Sequence, residues 1–349
     1  MPKRKRKTKS ASKGKEKMNL ISLESPDVKK MFEGTHEVDW GKNEADLLKN
    51  FKNCKKNPGH VSFIPFKDLT ISRLPASYQS DLMLALIQAM SDITVMIKVK
   101  YVSPHRPDKF PDSLAPYPFS EMRGKRIIRT GTGRLSFVPE DVDTSSRTCP
   151  CASCLKSDTP SKEWGVIQIC TTTHVVFDDL EAARSTVTFG YEDKDHRGLT
   201  LDGWRAVGDV PHDWCELRCL THDVTFVQEM EEKSRRFYSL CLQVNEMFKS
   251  LQDKDKLTII VSHPHGCPKQ VTIGQWNLRS VALLDADSND QYTRYTYTTC
   301  TCPGSSGAPV YTLGDRFIYC HTHSGANDDA NYSALMWEPN ELYAPPPQT

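Results

Sequence analysis

Residues 300–311, CTCPGSSGAPVY, are the stretch of sequence that decides the fold. Two glycines, Gly304 and Gly307, flank a pair of serines, and Pro309 opens an apolar run that predicts a strand. A serine nucleophile needs its hydroxyl on a tight turn, with backbone N–H groups facing the oxyanion that develops during reaction. Glycine permits such a turn and leaves room for a carbonyl group. The pattern therefore indicates a nucleophile at Ser306, with an ordinary hairpin loop as the alternative.

This stretch resembles the GDSGGPV signature of the trypsin-like serine proteases. The resemblance implies that Ser306 is the nucleophile and that the N–H groups of Gly304 and Ser306 form the oxyanion hole. Ser305 stands where digestive trypsins carry an aspartate that pairs with a new N terminus after zymogen cleavage, so activation by that route is not expected. Ala308 replaces a glycine, which is a small change.

A histidine that follows a β-rich run supplies the partner base. Residues 165–176, GVIQICTTTHVV, resemble the TAAHC-like motif in which the family's general base closes an apolar strand. The resemblance assigns this role to His174, whereas an isolated histidine would more often be a surface or satisfied core residue. Val175 replaces the cysteine of the family motif, so the usual disulfide around the base is missing.

The third group is an aspartate that holds the imidazole in the required tautomer. Residues 212–217, HDWCEL, resemble the family's strand that opens with this aspartate, which assigns the role to Asp213. Asp213 lies 39 residues after His174 and 93 before Ser306. This order is that of the trypsin-like enzymes rather than that of subtilisin or the α/β-hydrolases. The competing candidates are Asp202, Asp209 and Asp223.

The substrate pocket is expected from the end of the chain. Residues 320–325, CHTHSG, resemble the strand that binds the substrate backbone and walls the primary pocket, with Cys300 near the pocket base. This range has no aspartate, so a preference for Lys or Arg is not expected. His321 or His323 resembles the pocket histidine with which picornaviral proteases read glutamine, and a packing histidine is the alternative. The implied pocket residues are Cys300, His323, Ser324 and Gly325.

Many short β-rich runs separated by turn residues are typical of an all-β sandwich or barrel. The predicted strands are 125–129, 133–138, 165–170, 186–191, 214–220, 257–262, 270–273, 292–298, 309–312 and 317–321. One amphipathic helix over 226–251 is expected to lie on a barrel. With the resemblance, the fold class is mainly β: two antiparallel β-barrels of the chymotrypsin-like type, with an N-terminal α+β or partly disordered extension.

Changes in composition along the chain predict its domain organisation. The Pro-rich segment 103–119 reads as a linker between domains. Before it, the sequence predicts a helix over 44–51, a short strand over 60–66, a helix that opens at Ser77 and a strand over 94–102. The expected divisions are a disordered basic tail (1–20), an N-terminal extension with a candidate regulatory role (21–119), a trypsin-like domain (120–340) and a Pro-rich tail (341–349).

Composition indicates a soluble protein with a core of its own. The chain is 38% hydrophobic, has a mean hydropathy of -0.53 and carries a net charge of +1. No apolar run approaches the roughly 20 residues of a membrane span, and the basic start lacks the apolar core of a signal peptide. We therefore expect a cytoplasmic or nuclear protein that acts on polypeptides. Nucleic acid would be contacted only through the basic tail, PKRKRKTKSASKGKEK (2–17), and the oligomeric state stays open.

Twelve cysteines raise the question of metal binding. Cys149, Cys151 and Cys154 have C-x-C-x-x-C spacing, and thiolates at that spacing can share one tetrahedral zinc ion. Free thiols or a disulfide are the alternatives. Such a zinc would be structural, because a three-thiolate site far from the triad in sequence has no obvious substrate role, and catalysis requires no cofactor. The candidate fourth ligands are Cys267, Cys300, Cys302 or a histidine.

Two functions from different classes are compatible with these patterns. The first is a serine endopeptidase that hydrolyses peptide bonds through a Ser-His-Asp triad and an acyl-enzyme. The second is a catalytically inactive, protease-like binding protein, nuclear and stabilised by zinc. The presence of all three triad residue types favours the enzyme.

Overall fold

The computed structural model describes residues 20–22, 34–111, 114–136, 148–193, 195, 198–249, 256–283, 291–313 and 320–338. The predicted basic tail up to residue 19 and the predicted Pro-rich tail lie outside these residues. Within the described ranges, no helix is both long and apolar enough to cross a membrane.

Strands dominate the described part of the chain. In chain order they are β1 (Leu20–Ser22), β2 (Thr35–His36), β3 (Asp39–Gly41), β4 (Ile64–Pro65), β5 (Thr94–Val99), β6 (Ile128–Leu135), β7 (Gly165–Thr171), β8 (Ser185–Thr188), β9 (Thr200–Asp209), β10 (Trp214–Thr221), β11 (Leu257–Ser262), β12 (Gln270–Leu283), β13 (Gln291–Tyr297), β14 (Pro309–Thr312), β15 (His321–Ala326), β16 (Asn331–Ser333) and β17 (Met336–Glu338). The α-helices are α1 (Glu44–Lys52), α2 (Asp81–Ile93), α3 (Asp179–Ala182) and α4 (Val224–Met247).

The first sheet closes into a barrel. Strands β6, β5, β8, β9, β10 and β7 are hydrogen-bonded in that order, and β7 pairs back with β6. Every one of these pairings is antiparallel. Closure leaves the ring of six strands without a free edge, and the short strand β3 is added outside the ring through β6.

The second sheet closes in the same way. Strands β12, β11, β14, β15, β16 and β13 follow one another, and β13 pairs back with β12, all antiparallel. Three N-terminal strands attach to this barrel: β1 and β4 pair with β12, and β2 pairs with β15. The predicted fold class, mainly β with two antiparallel barrels, is confirmed.

The helices cover the apolar surface that the barrels expose. Ser80 caps α2, since its side chain accepts a hydrogen bond from the N–H of Met83. Helix α4 buries residues at helical spacing, as the sequence predicted, and it packs on α2 and β7. The buried side chains of α4 are Met230, Ser234, Phe237, Leu240, Cys241 and Val244.

The first barrel begins earlier than the sequence predicted. The domain was expected to start near residue 120, but β5, at Thr94–Val99, is already one of its six strands. The Pro-rich segment 103–119 is not an exposed linker, because Arg106 within it is 1% exposed and bound to buried Glu181. Prolines mark turns and extended chain, and they do not reveal whether that chain is buried.

Most predicted strands are confirmed with small shifts in their ends. The runs predicted at 125–129 and 133–138 belong to the single strand β6, and the run at 270–273 is the beginning of the much longer β12. Strand β9 was missed because its residues, TLDGWRAVGD, are mostly partly exposed and lack an apolar alternation. The strand predicted at 317–321 falls largely outside the described residues, and β15 begins at His321.

Candidate active site

The three residues predicted as a triad meet between the two barrels. His174 follows β7 and Asp213 precedes β10 in the first barrel, whereas Ser306 lies on the loop before β14 in the second. His174 Nδ1 is 2.8 Å from both carboxylate oxygens of Asp213, and His174 Nε2 is 2.7 Å from Ser306 Oγ. An ionised carboxylate only accepts hydrogen bonds, so Nδ1 carries the proton and Nε2 is free to accept one from the serine.

The Asp213 carboxylate is fixed by further donors. Thr173 Oγ1 donates to Oδ1 at 2.9 Å, and Ser324 Oγ donates to Oδ2 at 2.6 Å. Burial favours its protonated form, but the interaction and hydrogen bond with His174 outweigh burial and hold the pKa of Asp213 below its ordinary value. Asp213 has a φ of 52°, a left-handed conformation that aspartate tolerates better than most residues.

The competing aspartates have other partners. Asp209 Oδ2 pairs with His212 Nδ1 at 2.7 Å, and Asp223 caps α4 by accepting from the N–H of Phe226. Asp202 lies on β9 opposite Thr186. Of the four candidates, the structure therefore places Asp213 beside His174.

A buried ion cluster supports the turn that carries His174. Glu181 accepts two hydrogen bonds from Arg106 and one from Arg129, each at 2.7 Å. Arg106 also donates to the carbonyl oxygen of His174 at 3.1 Å, and Arg129 to that of Val175 at 3.4 Å. Burial raises the pKa of Glu181, but the two arginines outweigh it, so the carboxylate stays charged. The cluster ties the turn to the interior of the first barrel.

The loop that carries Ser306, residues 298–308 and here called the nucleophile loop, requires its glycines. Gly304 and Gly307 have φ values of 99° and 87°, where only glycine is free of strain. A Cβ atom on Gly307 would overlap the carbonyl oxygen of Thr132 and Oγ1 of Thr171. The Thr132 N–H in turn donates to the carbonyl oxygen of Ser306 at 2.7 Å. The loop is therefore pressed directly against the first barrel.

The two N–H groups expected to form an oxyanion hole converge on one oxygen atom. The N–H of Gly304 lies 2.7 Å from the carbonyl oxygen of Glu37, and the N–H of Ser306 lies 3.3 Å from the same atom. Two donors that face one carbonyl oxygen beside a serine hydroxyl form the arrangement required for acyl transfer. The sequence offered no sign that Glu37, about 270 residues away, would reach this point.

The predicted pocket residues surround the same segment. His323 Nε2 is 2.7 Å from Glu37 Oε2, the Ser324 carbonyl oxygen is 3.1 Å from Ser306 Oγ, and Gly325 pairs with β2. Cys300 is half-buried at the start of the nucleophile loop. His321 contacts Thr293 and Ser333 instead, at 3.2 and 3.1 Å, as a packing histidine would.

Lys56 is a pocket residue that sequence reasoning missed. Its Nζ atom pairs with Glu37 Oε1 and donates to Asn331 Oδ1 at 2.7 Å and to Thr301 Oγ1 at 3.1 Å. It belongs to the segment that the sequence assigned to a separate extension. A lysine in a charged run, KNCKKN, gives no signal that it contacts Glu37.

Two groups of cysteine and histidine have ligand atoms close enough to hold a metal ion. Cys149, Cys151, Cys154 and His222 form one, with all four ligand atoms within 4.8 Å of one another. The fourth member is a histidine, one of the alternatives left open by the sequence. Cys302, another of those candidates, belongs instead to the second group, Cys54, His60, His265 and Cys302.

The chain thus has two closed, six-stranded antiparallel barrels with the site between them. No family model matches the chain, and no curated protein matches it. The crystal structure of the Rv3671c protease from M. tuberculosis in its active form aligns with 75% of this chain and 82% of its own, at 13% identity and a TM-score of 0.36. The inactive form aligns with 75% and 90%, at 11% identity and a TM-score of 0.36.

Replacing Gly307 by alanine should destabilise the protein by about 3 kcal/mol, because the side chain adds a clash to an unfavourable φ. The matched control is Gly124→Ala, where φ is 74° but no atom lies within 4 Å of the added Cβ; it should cost about 1 kcal/mol. Denaturant unfolding of both variants measures the difference. Equal losses would mean that the nucleophile loop is not packed as described.

Proposed function

We propose that this protein is a serine endopeptidase in which Ser306 attacks the peptide carbonyl, His174 is the general base and Asp213 orients His174. One observation carries the proposal: the hydrogen-bonded chain from Asp213 through His174 to Ser306 ends beside two N–H groups that face a single carbonyl oxygen. Each part of an acyl-transfer site is thereby within bonding distance of the next.

The geometry supports the following reaction. As Ser306 Oγ adds to the carbonyl carbon, its proton passes to His174 Nε2, and the N–H groups of Gly304 and Ser306 stabilise the negative oxygen. Asp213, held ionised by its donors, stabilises the imidazolium. His174 then gives the proton to the leaving nitrogen as the C–N bond breaks, and water hydrolyses the Ser306 ester by the same route.

Four single substitutions test these roles. Ser306→Ala and His174→Ala should lower the hydrolysis rate of a fluorescently labelled, unfolded protein by about 10⁴-fold or more, and Asp213→Asn by about 10⁴-fold because the tautomer is wrong. The matched control is Ser305→Ala, which removes the neighbouring hydroxyl and should retain activity. A rate that survives Ser306→Ala would contradict the proposal. A folded but inert wild-type protein would favour the protease-like binding protein.

We also propose that Cys149, Cys151, Cys154 and His222 bind a structural zinc ion. His222 Nε2 lies 3.4 Å from Cys154 Sγ and 3.7 Å from Cys151 Sγ. These distances match a tetrahedral zinc site, in which the usual bond lengths hold the ligand atoms about 3.3–3.8 Å apart. Four protein ligands leave no open position, which is typical of a structural site. Cys149 and Cys154 pack with Trp164 and Val166 in a small apolar cluster.

Substitution of the histidine tests this zinc site. His222→Asn should lower the zinc content of the purified chain by one equivalent and lower its thermal midpoint, because bound metal contributes folding free energy. His105→Asn, which changes an exposed histidine, should alter neither quantity. An unchanged zinc content in His222→Asn, measured by mass spectrometry of the metal, would contradict the proposal.

A further inference from the structure

Residues 34–38 lie in the cleft in the manner of a bound peptide. Strand β2 pairs antiparallel with Gly325 and Ala326 of β15, the strand expected to bind a substrate backbone. Just beyond Glu37, Val38 is buried and β3 pairs with β6 of the first barrel. The segment therefore runs from the second barrel to the first and passes Ser306 on its way.

The backbone of Glu37 occupies the reactive position. Its carbonyl oxygen accepts from the N–H groups of Gly304 and Ser306, which places it where a scissile carbonyl is polarised. On the preceding residue, the His36 ring lies 4.4 Å from the His174 ring. Burial and the neighbouring His174 lower the pKa of His36 to about 3, so His36 is neutral beside the base.

The side chain of Glu37 fills a pocket built for a negative charge. Tyr297 Oη is 2.6 Å from His323 Nδ1, and a phenol that donates to Nδ1 leaves Nε2 carrying the proton that Glu37 Oε2 accepts. Lys56 supplies a full positive charge to the other carboxylate oxygen. Both oxygens of the carboxylate are thus matched by donors.

The groups that face the carboxylate select glutamate over glutamine. Burial raises the pKa of Glu37, but the hydrogen bond from His323 and the charge of Lys56 outweigh it and bring the pKa to about 2. A neutral amide in the same place would form no ion pair with Lys56, whose side chain is 33% exposed, and a charge-assisted hydrogen bond is stronger than a neutral one. An arginine or lysine side chain would be repelled by Lys56.

We propose that the site cleaves peptide bonds after glutamate, read by His323 and Lys56, and that the chain's own Glu37–Val38 bond is one of its substrates. This inference rests on the proposed endopeptidase function. Ser306 Oγ bonds to the Glu37 carbonyl carbon and its proton moves to His174. The Glu37–Val38 C–N bond then breaks, the Val38 nitrogen takes that proton, and water hydrolyses the ester to release residues 1–37 with a new carboxylate.

Self-cleavage is tested on the full chain. Incubated wild-type protein should acquire a new N terminus at Val38, found by mass spectrometry of labelled N termini, whereas Ser306→Ala should stay intact. Glu37→Lys should abolish this cut, and Glu44→Lys, which changes an exposed glutamate, should not. A wild-type chain that remains uncut at Val38 under conditions where it hydrolyses other polypeptides would overturn the inference and leave the endopeptidase standing.

Specificity is tested with peptides that span residues 33–42 and carry Glu, Gln or Lys at the position of Glu37. We expect kcat/KM for Glu to exceed that for Gln by about tenfold, because a charge-assisted hydrogen bond is stronger than a neutral one. Lys56→Met should bring the Glu-to-Gln ratio towards one, whereas its neighbour variant Lys55→Met should not. Equal rates for Glu and Lys peptides would overturn the inference. Hydrolysis of no peptide or protein at all would instead overturn the proposed function.

A second inference concerns a cluster of cysteines and histidines between two loops. One is the segment 53–63, here called the Lys56 loop, and the other is the nucleophile loop. The sulfur atoms of Cys54 and Cys302 are 3.5 Å apart, and the ligand atoms of Cys54, His60, His265 and Cys302 all lie within 4.8 Å of one another. A tetrahedral zinc ion holds its ligand atoms about 3.3–3.8 Å apart. Two cysteines and two histidines form a donor set that zinc prefers.

Both imidazoles have a nitrogen atom available for the metal. His265 Nδ1 is 2.7 Å from Asp39 Oδ2, the carboxylate–histidine pairing that fixes the tautomer of metal-binding histidines. Nε2 of His60 is buried without a hydrogen-bond partner among the residues that the structure describes, and the His265 imidazole faces the Cys54 thiol. Buried polar atoms are nearly always paired, so His60 Nε2 points to a ligand.

The surrounding residues hold the ligands in place. The backbone N–H of Asn57 donates to Cys54 Sγ at 3.4 Å and its side-chain amide donates to Cys302 Sγ at 3.2 Å. Such hydrogen bonds orient ligands and tune them for the metal. His60 and His265 both have positive φ values, 51° and 54°, a conformation that tends to persist at functional sites.

We infer that Cys54, His60, His265 and Cys302 bind a structural Zn²⁺ ion that fastens the Lys56 loop to the nucleophile loop. Cys302 is directly linked to that loop, because its carbonyl oxygen accepts from the N–H of Ser305 at 2.8 Å. The metal would thus brace the pocket lysine and the oxyanion donors together.

Alkylation of the wild-type chain tests this site without a variant. Zinc should protect Cys54 and Cys302, and a chelator should expose both, whereas the labelling of half-buried Cys300 should not respond to the chelator. Cys54→Ser should also lose one equivalent of zinc, and Cys241→Ser, which changes a buried cysteine outside both clusters, should lose none. A Cys54–Cys302 disulfide in the native chain, or protection that the chelator does not relieve, would overturn the inference.

Discussion

The hydrogen bond between His174 Nε2 and Ser306 Oγ is the constraint on which the site depends, because its two ends belong to different barrels. It forms only if the first barrel holds the His174 turn and the second holds the nucleophile loop at a fixed separation. The buried Arg106–Glu181–Arg129 cluster fixes the turn. The contact between Thr132 and Ser306 joins the loop to the first barrel.

The N-terminal extension is part of this site rather than an addition to it. Three of its strands pair with the second barrel, and β3 pairs with the first. Lys56 and the Glu37 carboxylate meet inside the pocket, so the extension supplies both a wall of the cleft and its occupant. The same loop carries Cys54 and His60, which connects pocket charge and proposed metal binding to one short segment.

The barrels and the central site residues were predictable because their signals are local. The GSSGAPV turn and the strand before His174 each need only a few adjacent residues, and β-rich runs are visible wherever apolar side chains alternate. The roles of Glu37, Lys56 and His265 were not predictable, since each arises from contacts between segments more than 200 residues apart. For the same reason, β5 was assigned to the wrong side of a domain boundary: pairing partners are set by topology, not by local composition.

We expect Ser306 to be an activated nucleophile. The most direct measurement is covalent labelling by a fluorophosphonate, with the modified residue located by mass spectrometry. The measurement is made on the wild-type chain and on Glu37→Lys. A lysine at this position should be repelled by Lys56, which should displace residues 34–38 from the cleft. We expect an adduct on Ser306 that forms faster in Glu37→Lys and is absent when His174→Ala is added. A folded protein that gives no adduct on Ser306 in either background, or an adduct that forms equally well without His174, would contradict it.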